Sequence, residues 1–67
     1  MAFAENLSKL LQDKNISSYK LAKDIGVHVS TVSNWKDGKK PLVAHLLLVA
    51  KYFGCTVDDL LREENNG

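Results

Sequence analysis

Apolar residues at helical spacing open the chain. Phe3, Leu7, Leu10 and Leu11 fall at positions i, i+4, i+7 and i+8, the spacing that places side chains on one face of an α-helix. Asn15 follows this stripe, and asparagine is one of the few residues that readily adopt the left-handed conformation found at helix ends. We therefore expect a first helix over residues 2–14, with its apolar face buried.

Two shorter helices are predicted between residues 17 and 36, separated by a tight turn. Ser17 is a favourable N-cap, because its hydroxyl can accept a hydrogen bond from a backbone N–H of the first turn. Gly26 suits the left-handed conformation at the end of the helix predicted over residues 18–25. His28 or Val29 then begins the next helix, which is predicted to end at about Lys36.

The third predicted helix has one apolar and one polar face. Val32 and Trp35 lie three residues apart and are predicted to face the core. The opposite face consists of residues that are small or polar, namely Val29, Ser30, Ser33 and Asn34. A face that serves only solvation normally carries lysine and glutamate. This face instead predicts close contact with a surface rich in hydrogen-bonding groups.

The last third of the chain predicts two more helices. Residues 42–53 are the most apolar stretch, so a helix there should be buried on more than one side. Thr56 and Asp59 have the spacing of a capping box, in which each side chain bonds the other residue's backbone N–H. Val57, Leu60 and Leu61 are predicted to turn inward. We expect one all-α domain of five helices over residues 1–61, followed by a polar tail over residues 62–67.

The segment from Leu21 to Pro41 resembles the helix-turn-helix of the phage repressor and Cro-like family. The matching features are Leu21-Ala22, Gly26-Val27, Val32, Trp35, Gly38 and Pro41, followed by Leu46, Val49-Ala50, Phe53 and Leu60. The resemblance extends from about Phe3 to Leu61. It implies a compact, lambda-repressor-like bundle of five helices in which helices 2 and 3 form the DNA-binding unit.

The resemblance also implies which residues contact bases. In this motif the second helix enters the major groove with its N-terminal residues at the base edges. The family's base-reading positions correspond to Val29, Ser30 and Asn34, with His28 and Ser33 beside them. Asn34 is the best candidate, because a carboxamide can pair with adenine N6 and N7; its alternative role is to cap the end of the helix. Val29 is a departure, since the family often has a polar side chain there.

Phosphate contacts in the family come from the start of helix 2 and from the loop after helix 3. The corresponding residues here are Ser17, Ser18, Tyr19, Lys36, Lys39 and Lys40. Ser18 is a second departure, because glutamine is common at this position and reaches further. Lys36 stands where the family often has an acid that pairs with a base on helix 1. Helix 1 offers Leu11 instead, so we expect Lys36 to be free to point at DNA.

The distribution of charge supports this interpretation more than the total does. The net charge of the 67 residues is only +1. Residues 20–51 carry six lysines and two aspartates, whereas residues 52–67 carry one arginine and four acids. A basic region that coincides with the helix-turn-helix is the electrostatic footprint of a small DNA-binding protein, although a solvated charged surface would have the same composition.

The remaining chemistry predicts no enzyme and no metal site. Cys55 is the only cysteine, so no internal disulfide can form, and a reducing cytoplasm fits best. A lone thiol with no fixed base nearby is a poor nucleophile. His28 and His45 are far apart in sequence and lack a cluster of further ligands at metal-binding spacing. No membrane-spanning run or signal peptide is evident, and no cofactor is expected.

The resemblance implies a sequence-specific transcriptional regulator, with repression expected, that binds a palindromic operator as a homodimer. We expect the dimer contact at the Pro41–Leu42 end of helix 4 and in the Thr56–Leu61 region, where apolar residues exceed the needs of a small core. No small-molecule effector is evident. Two alternatives stay open: an antitoxin that pairs with a toxin, and a protein-interaction module that has kept the fold without affinity for DNA.

Overall fold

Five α-helices make up the fold of residues 2–63, as the sequence predicts. The structure, a computed structural model, describes residues 2–63, and within that range no residue is in a β-strand. The helices are α1 (Phe3–Lys14), α2 (Ser18–Ile25), α3 (Val29–Lys36), α4 (Val43–Phe53) and α5 (Val57–Leu61). The bounds of α2 and α3 agree with the prediction, while α1 and α4 each begin one residue later. Most of the predicted polar tail lies outside the described residues.

Local capping explains where the helices begin and end. The Ser17 hydroxyl accepts a hydrogen bond from the backbone N–H of Lys20 at 3.0 Å. Thr56 and Asp59 form the predicted capping box, with each side chain bonded to the other's backbone N–H. Asn15 ends α1 in the left-handed conformation at φ 56°. The cap predictions at these positions are therefore confirmed.

A single core joins all five helices. The largest fully buried side chains are Phe3, Leu7, Leu21, Val32, Val49 and Leu60. Trp35 is 3% exposed, and its ring packs edge-on against Phe3 with the centroids 5.8 Å apart. The prediction that Trp35 belongs to the core is confirmed. Because Val32 and Trp35 face inward, the orientation of α3 is fixed, and its polar face is turned to solvent.

A polar contact ties α2 to α4 at the edge of this core. The Tyr52 hydroxyl on α4 donates a hydrogen bond to the Asp24 carboxylate on α2 at 2.6 Å, and Lys20 pairs with the same oxygen at 3.0 Å. The hydrogen bond from Tyr52, followed by that from Lys20, holds the pKa of the Asp24 carboxyl below its usual value. The contact with Asp24 also raises the pKa of the Tyr52 hydroxyl.

A second polar contact joins the two ends of the described chain. The Asn6 side-chain amide on α1 donates two short hydrogen bonds, to the carbonyl oxygens of Leu60 at 2.7 Å and Arg62 at 2.8 Å, and lies 3.4 Å from that of Asp59. The last carbonyls of a helix have no partner within the helix. Asn6, which precedes Leu60 by 54 residues, thus supplies a donor that α5 lacks.

The excess apolar surface lies on α4 and not on α5. Leu42, Val43 and Leu47 are 66%, 72% and 58% exposed, and Leu48 beside them is 41% exposed. Leu60 is fully buried, and Val57 and Leu61 are partly buried against the core. The prediction of an apolar surface at the start of α4 is confirmed. The prediction that Val57, Leu60 and Leu61 turn inward is confirmed, so α5 adds little to this surface, and the dimer contact expected in the Thr56–Leu61 region stays a prediction.

Candidate nucleic-acid interface

The outward face of α3 carries the predicted base contacts. Val29, Ser30, Ser33 and Asn34 are all exposed, because Val32 and Trp35 occupy the buried side of the same helix. None of these four exposed side chains is acidic. The structure therefore brings the predicted base-contacting positions onto one surface that offers hydroxyl, carboxamide and methyl groups.

His28 has a structural task at the start of this helix. Its Nδ1 accepts a hydrogen bond from the backbone N–H of Ser30 at 3.1 Å and lies 2.8 Å from the Ser30 hydroxyl. An imidazole nitrogen that accepts from a backbone N–H carries no hydrogen, so the ring hydrogen lies on Nε2. His28 is thus the N-cap of α3, and only Nε2 is left to face a ligand.

Asn34 is not the cap at the other end of α3. The helix continues to Lys36, and the residue in the C-cap position is Asp37. The backbone carbonyl of Asn34 accepts the N–H groups of Asp37 and Lys39, while its exposed side-chain amide has no hydrogen-bond partner among residues 2–63. The capping alternative is therefore wrong, and the carboxamide is available to an external partner.

Ser17, Ser18 and Lys36 lie together at the junction of α1, α2 and α3. They line one concavity of about 580 Å³, and the Lys36 ammonium donates a hydrogen bond to the Ser18 hydroxyl at 3.3 Å. The ammonium is thus not entirely without a contact, because the neutral Ser18 hydroxyl accepts a hydrogen bond from it, and its predicted contact with DNA stays a prediction. The ammonium stays exposed and its charge has no acidic partner in the described part of the chain.

The other predicted phosphate contacts flank the two ends of α3. Tyr19 is 66% exposed and lines a concavity of about 270 Å³ with His28 and Val29. Lys39 and Lys40 line another of about 280 Å³ with Asn34. Neither lysine is in an ion pair with another described residue. The surface around α3 therefore has unpaired positive charge on the loop that follows it.

Two residues on this surface were given no such role by sequence reasoning. Thr31 and His45 line the same concavity as Asn34, Lys39 and Lys40. The sequence places Thr31 within the predicted third helix and His45 at the start of the next one, but only the fold brings the first turn of α4 beside α3. A basic residue in the first turn after the loop is the signal that could have identified His45.

Other chemistry is sparse in the described part of the chain. No group of three or more His, Cys, Asp or Glu side chains there is arranged to hold a metal ion. Burial, followed by the nearby Asp59 carboxylate, raises the pKa of the Cys55 thiol, which disfavours the reactive thiolate. Among the same residues, no helix has the length and apolar character needed to cross a bilayer.

Comparison with known proteins supports a DNA-binding domain. Residues 6–65 match the sequence profile of the Cro/C1-type HTH DNA-binding domain. The chain belongs to this family. The family resemblance inferred from the sequence is therefore confirmed, and so is the all-helical fold, with α2 and α3 as its helix-turn-helix.

Two relatives of this Cro/C1-type domain show how much of a protein it spans. The chain is 35% identical over 65 residues to the HTH-type transcriptional activator BcrR of Enterococcus faecalis, covering 96% of the chain and 32% of that protein. It matches the crystal structure of a transcriptional regulator from Listeria innocua with a TM-score of 0.80 and 32% identity, covering 97% of the chain and 64% of the other. The chain thus spans about a third of the E. faecalis protein and about two thirds of the L. innocua protein.

Proposed function

We propose that this Cro/C1-type domain binds double-stranded DNA sequence-specifically and regulates transcription, with α3 lying in the major groove of a palindromic operator. The observation that carries the proposal is the exposed face of α3, which has no carboxylate and is followed by a loop with two unpaired lysines. A recognition helix needs hydrogen-bonding side chains toward the bases and cations toward the phosphates. This surface has both, in that order along the chain.

We assign readout of bases chiefly to Asn34. Its exposed carboxamide has no partner among the described residues and has the geometry to bond adenine N6 and N7 together. Ser30 and Ser33 add hydroxyl groups that bond to several bases and therefore discriminate less. Val29 supplies a methyl surface that suits a thymine methyl group. His28 contributes only its Nε2 side, since Nδ1 is engaged in the cap.

We assign positioning on the backbone to residues on both sides of α3. Ser17, Ser18, Tyr19 and Lys36 lie at the start of α2 or beside it, and Lys39 and Lys40 lie on the loop. The Lys36–Ser18 hydrogen bond holds the ammonium beside the Ser18 hydroxyl. Contacts of this kind fix register without reading sequence.

We further propose that the domain binds its operator as a homodimer through α4. Leu42, Val43, Leu47 and Leu48 form an exposed apolar surface, here called the α4 face, and an exposed apolar patch of this kind marks an interaction site. Pairing across a two-fold axis would set two α3 helices about 34–36 Å apart, in successive turns of the major groove.

The test of DNA binding compares two variants on two DNAs. An operator would be selected from random duplexes, and binding measured by fluorescence anisotropy over a series of salt concentrations. Asn34→Ala should weaken operator binding by about 1–3 kcal/mol and leave random DNA nearly unaffected. Joint replacement of Lys39 and Lys40 by Ala should weaken both and flatten the salt dependence by about one unit for each phosphate that is no longer neutralised.

Each variant serves as the control for the other. Equal decreases in affinity for operator and random DNA in Asn34→Ala would show that this residue does not read bases. An unchanged salt slope for the lysine variant would show that both lysines are merely solvated. A promoter fused to a reporter then gives the sign of regulation, for which the sequence predicts repression and for which the E. faecalis relative is named an activator.

The dimer is tested by analytical ultracentrifugation with and without operator. Leu47→Glu should convert two protomers per operator into one, because a carboxylate would be placed within the α4 face. Lys14→Glu on α1 adds negative charge elsewhere and should leave the stoichiometry at two. One protomer of the unaltered protein per complete operator would contradict the proposal.

The α4 face also supports a second candidate function, in which the domain pairs with a different protein, as an antitoxin or an interaction module does. The antitoxin and the interaction module differ in whether they bind DNA. An interaction module would show no preference for any duplex after selection, whereas an antitoxin would bind DNA and also a toxin through α4.

A further inference from the structure

The concavity between α3 and α4 has the chemistry of an anion site. Three of its lining residues, Lys39, Lys40 and His45, have basic side chains, and two others, Thr31 and Asn34, are neutral hydrogen-bonding residues. None of the lining residues is acidic. With a volume of about 280 Å³, the concavity lies beside the exposed face of α3, on the side of the loop lysines.

His45 is held in this concavity by the core. Its ring packs against the indole of Trp35 with the centroids 5.5 Å apart and the planes at 53°. Trp35 is itself buried and packed on Phe3, so the imidazole rests on a fixed support. A donor that is already oriented loses less conformational entropy on binding than a flexible lysine does.

The ring nitrogens of His45 have no hydrogen-bond partner among residues 2–63, and the side chain is half-buried at the rim of the concavity. His28 makes a useful contrast, because one of its ring nitrogens is engaged in capping α3. The ring of His45 makes an aromatic contact with Trp35, which leaves its ring nitrogens free to bond a ligand in the concavity that the residue lines.

We propose that His45 is a further DNA-contacting residue, which donates a ring N–H to a backbone phosphate seated between α3 and the start of α4. Lys39 and Lys40 supply the positive charge around that phosphate, and His45 fixes its position. The inference rests on the proposed DNA-binding function and adds to it a contact from the fourth helix. Because phosphates are the same at every base pair, the contact raises affinity for all duplexes equally.

Two substitutions separate this role from packing on Trp35. His45→Phe keeps a ring against the indole and removes both nitrogens. His45→Gln removes the ring and keeps an N–H donor. We expect His45→Phe to retain the thermal midpoint of the unaltered protein and to bind operator and random duplex about tenfold more weakly, the lower end of what removing one hydrogen bond to a charged group produces. We expect His45→Gln to melt earlier and to bind, once folded, more tightly than His45→Phe.

Phosphate ethylation interference identifies the contact itself. On the selected operator, one phosphate per half-site should block binding of the unaltered protein when ethylated and should cease to matter for His45→Phe. Lys51→Gln, which removes a positive charge from the last turn of the same helix, should leave the interference at that phosphate unchanged. Side-chain ¹⁵N spectra of the unaltered protein should show the His45 ring shifting when duplex is added.

The results distinguish failure of this inference from failure of the proposed function. Strong DNA binding with the same affinity and interference pattern in His45→Phe would overturn the role of His45 alone. So would an unshifted His45 ring on addition of duplex. Absence of binding by the unaltered protein to any selected duplex would overturn the proposed function, and this contact with it.

Discussion

The hydrogen bonds from Asn6 offer the sharpest test of how the bundle is closed. Asn6→Ala removes the side-chain amide that bonds the carbonyls of Leu60 and Arg62. The substitution leaves the helix itself intact, because alanine has the highest helix propensity. Any decrease in stability therefore reports the connection between α1 and the end of α5.

The magnitude follows from the two short hydrogen bonds, to Leu60 and Arg62. Each typical intramolecular hydrogen bond contributes about 0.5–1.5 kcal/mol, so Asn6→Ala should lower the free energy of unfolding by about 1–3 kcal/mol. In a domain of this size each kcal/mol shifts the thermal midpoint by roughly 4–8 °C, which gives a shift on the order of 10 °C. Asn6→Asp should cost more, because it keeps the shape and points carboxylate oxygens at carbonyl oxygens.

The assay is thermal and urea unfolding followed by circular dichroism at 222 nm. Asn34→Ala is the matched control, since that asparagine is exposed and its side chain has no partner in the described chain; it should change stability by less than about 0.5 kcal/mol. An Asn6→Ala protein as stable as Asn34→Ala, or an Asn6→Asp protein more stable than Asn6→Ala, would refute the reasoning.

Three other substitutions test the core, a cap and the contact between α2 and α4. Trp35→Ala should cost about 3–5 kcal/mol and remove helicity and DNA binding together; a folded, helical variant would contradict the orientation of α3. Leu42→Ser should raise the free energy of unfolding by about 1 kcal/mol, as seen in urea unfolding, because Leu42 occupies the N-cap of α4 in an extended conformation without a side-chain cap. Tyr52→Phe should lower the thermal midpoint most between about pH 4 and 10. Because the pKa of Asp24 is lowered in the folded protein, the stabilisation from this hydrogen bond is lost as the pH falls through the folded-state pKa of Asp24. Because the pKa of Tyr52 is raised, the stabilisation is also lost as the pH rises through the folded-state pKa of Tyr52. A difference that did not vary with pH would argue against this hydrogen bond.

Features that depend on neighbouring residues were predictable from the sequence. The Ser17 cap and the Thr56–Asp59 capping box each need residues only three positions apart, and both occur as predicted. The inward position of Trp35 followed from its spacing to Val32. Helix periodicity therefore determined which face of α3 is exposed, and with it the surface proposed to read bases.

Features that join distant parts of the chain were not predictable in the same way. The amide of Asn6 bonds acceptors 54 and 56 residues away, and Lys36 at the end of α3 bonds Ser18 at the start of α2, 18 residues earlier. Counting apolar residues indicated more of them on α4 and α5 than a small core can bury. Only the packing shows that the apolar side chains of α5 lie against the core. The proposed role of His45 was not predictable for the same reason, because only the folded structure places its side chain in one concavity with Lys39 and Lys40.

The capping of α3 by His28 limits how the specificity of this domain can be redesigned. A library that varies positions 29, 33 and 34 would sample new surfaces on an intact helix. A library that varies position 28 freely would discard the acceptor for the Ser30 N–H in most of its members, and useful clones would be those that restore a cap with serine, threonine, aspartate or asparagine. New sequence preferences should therefore be sought with His28 and Ser30 kept or exchanged as a pair.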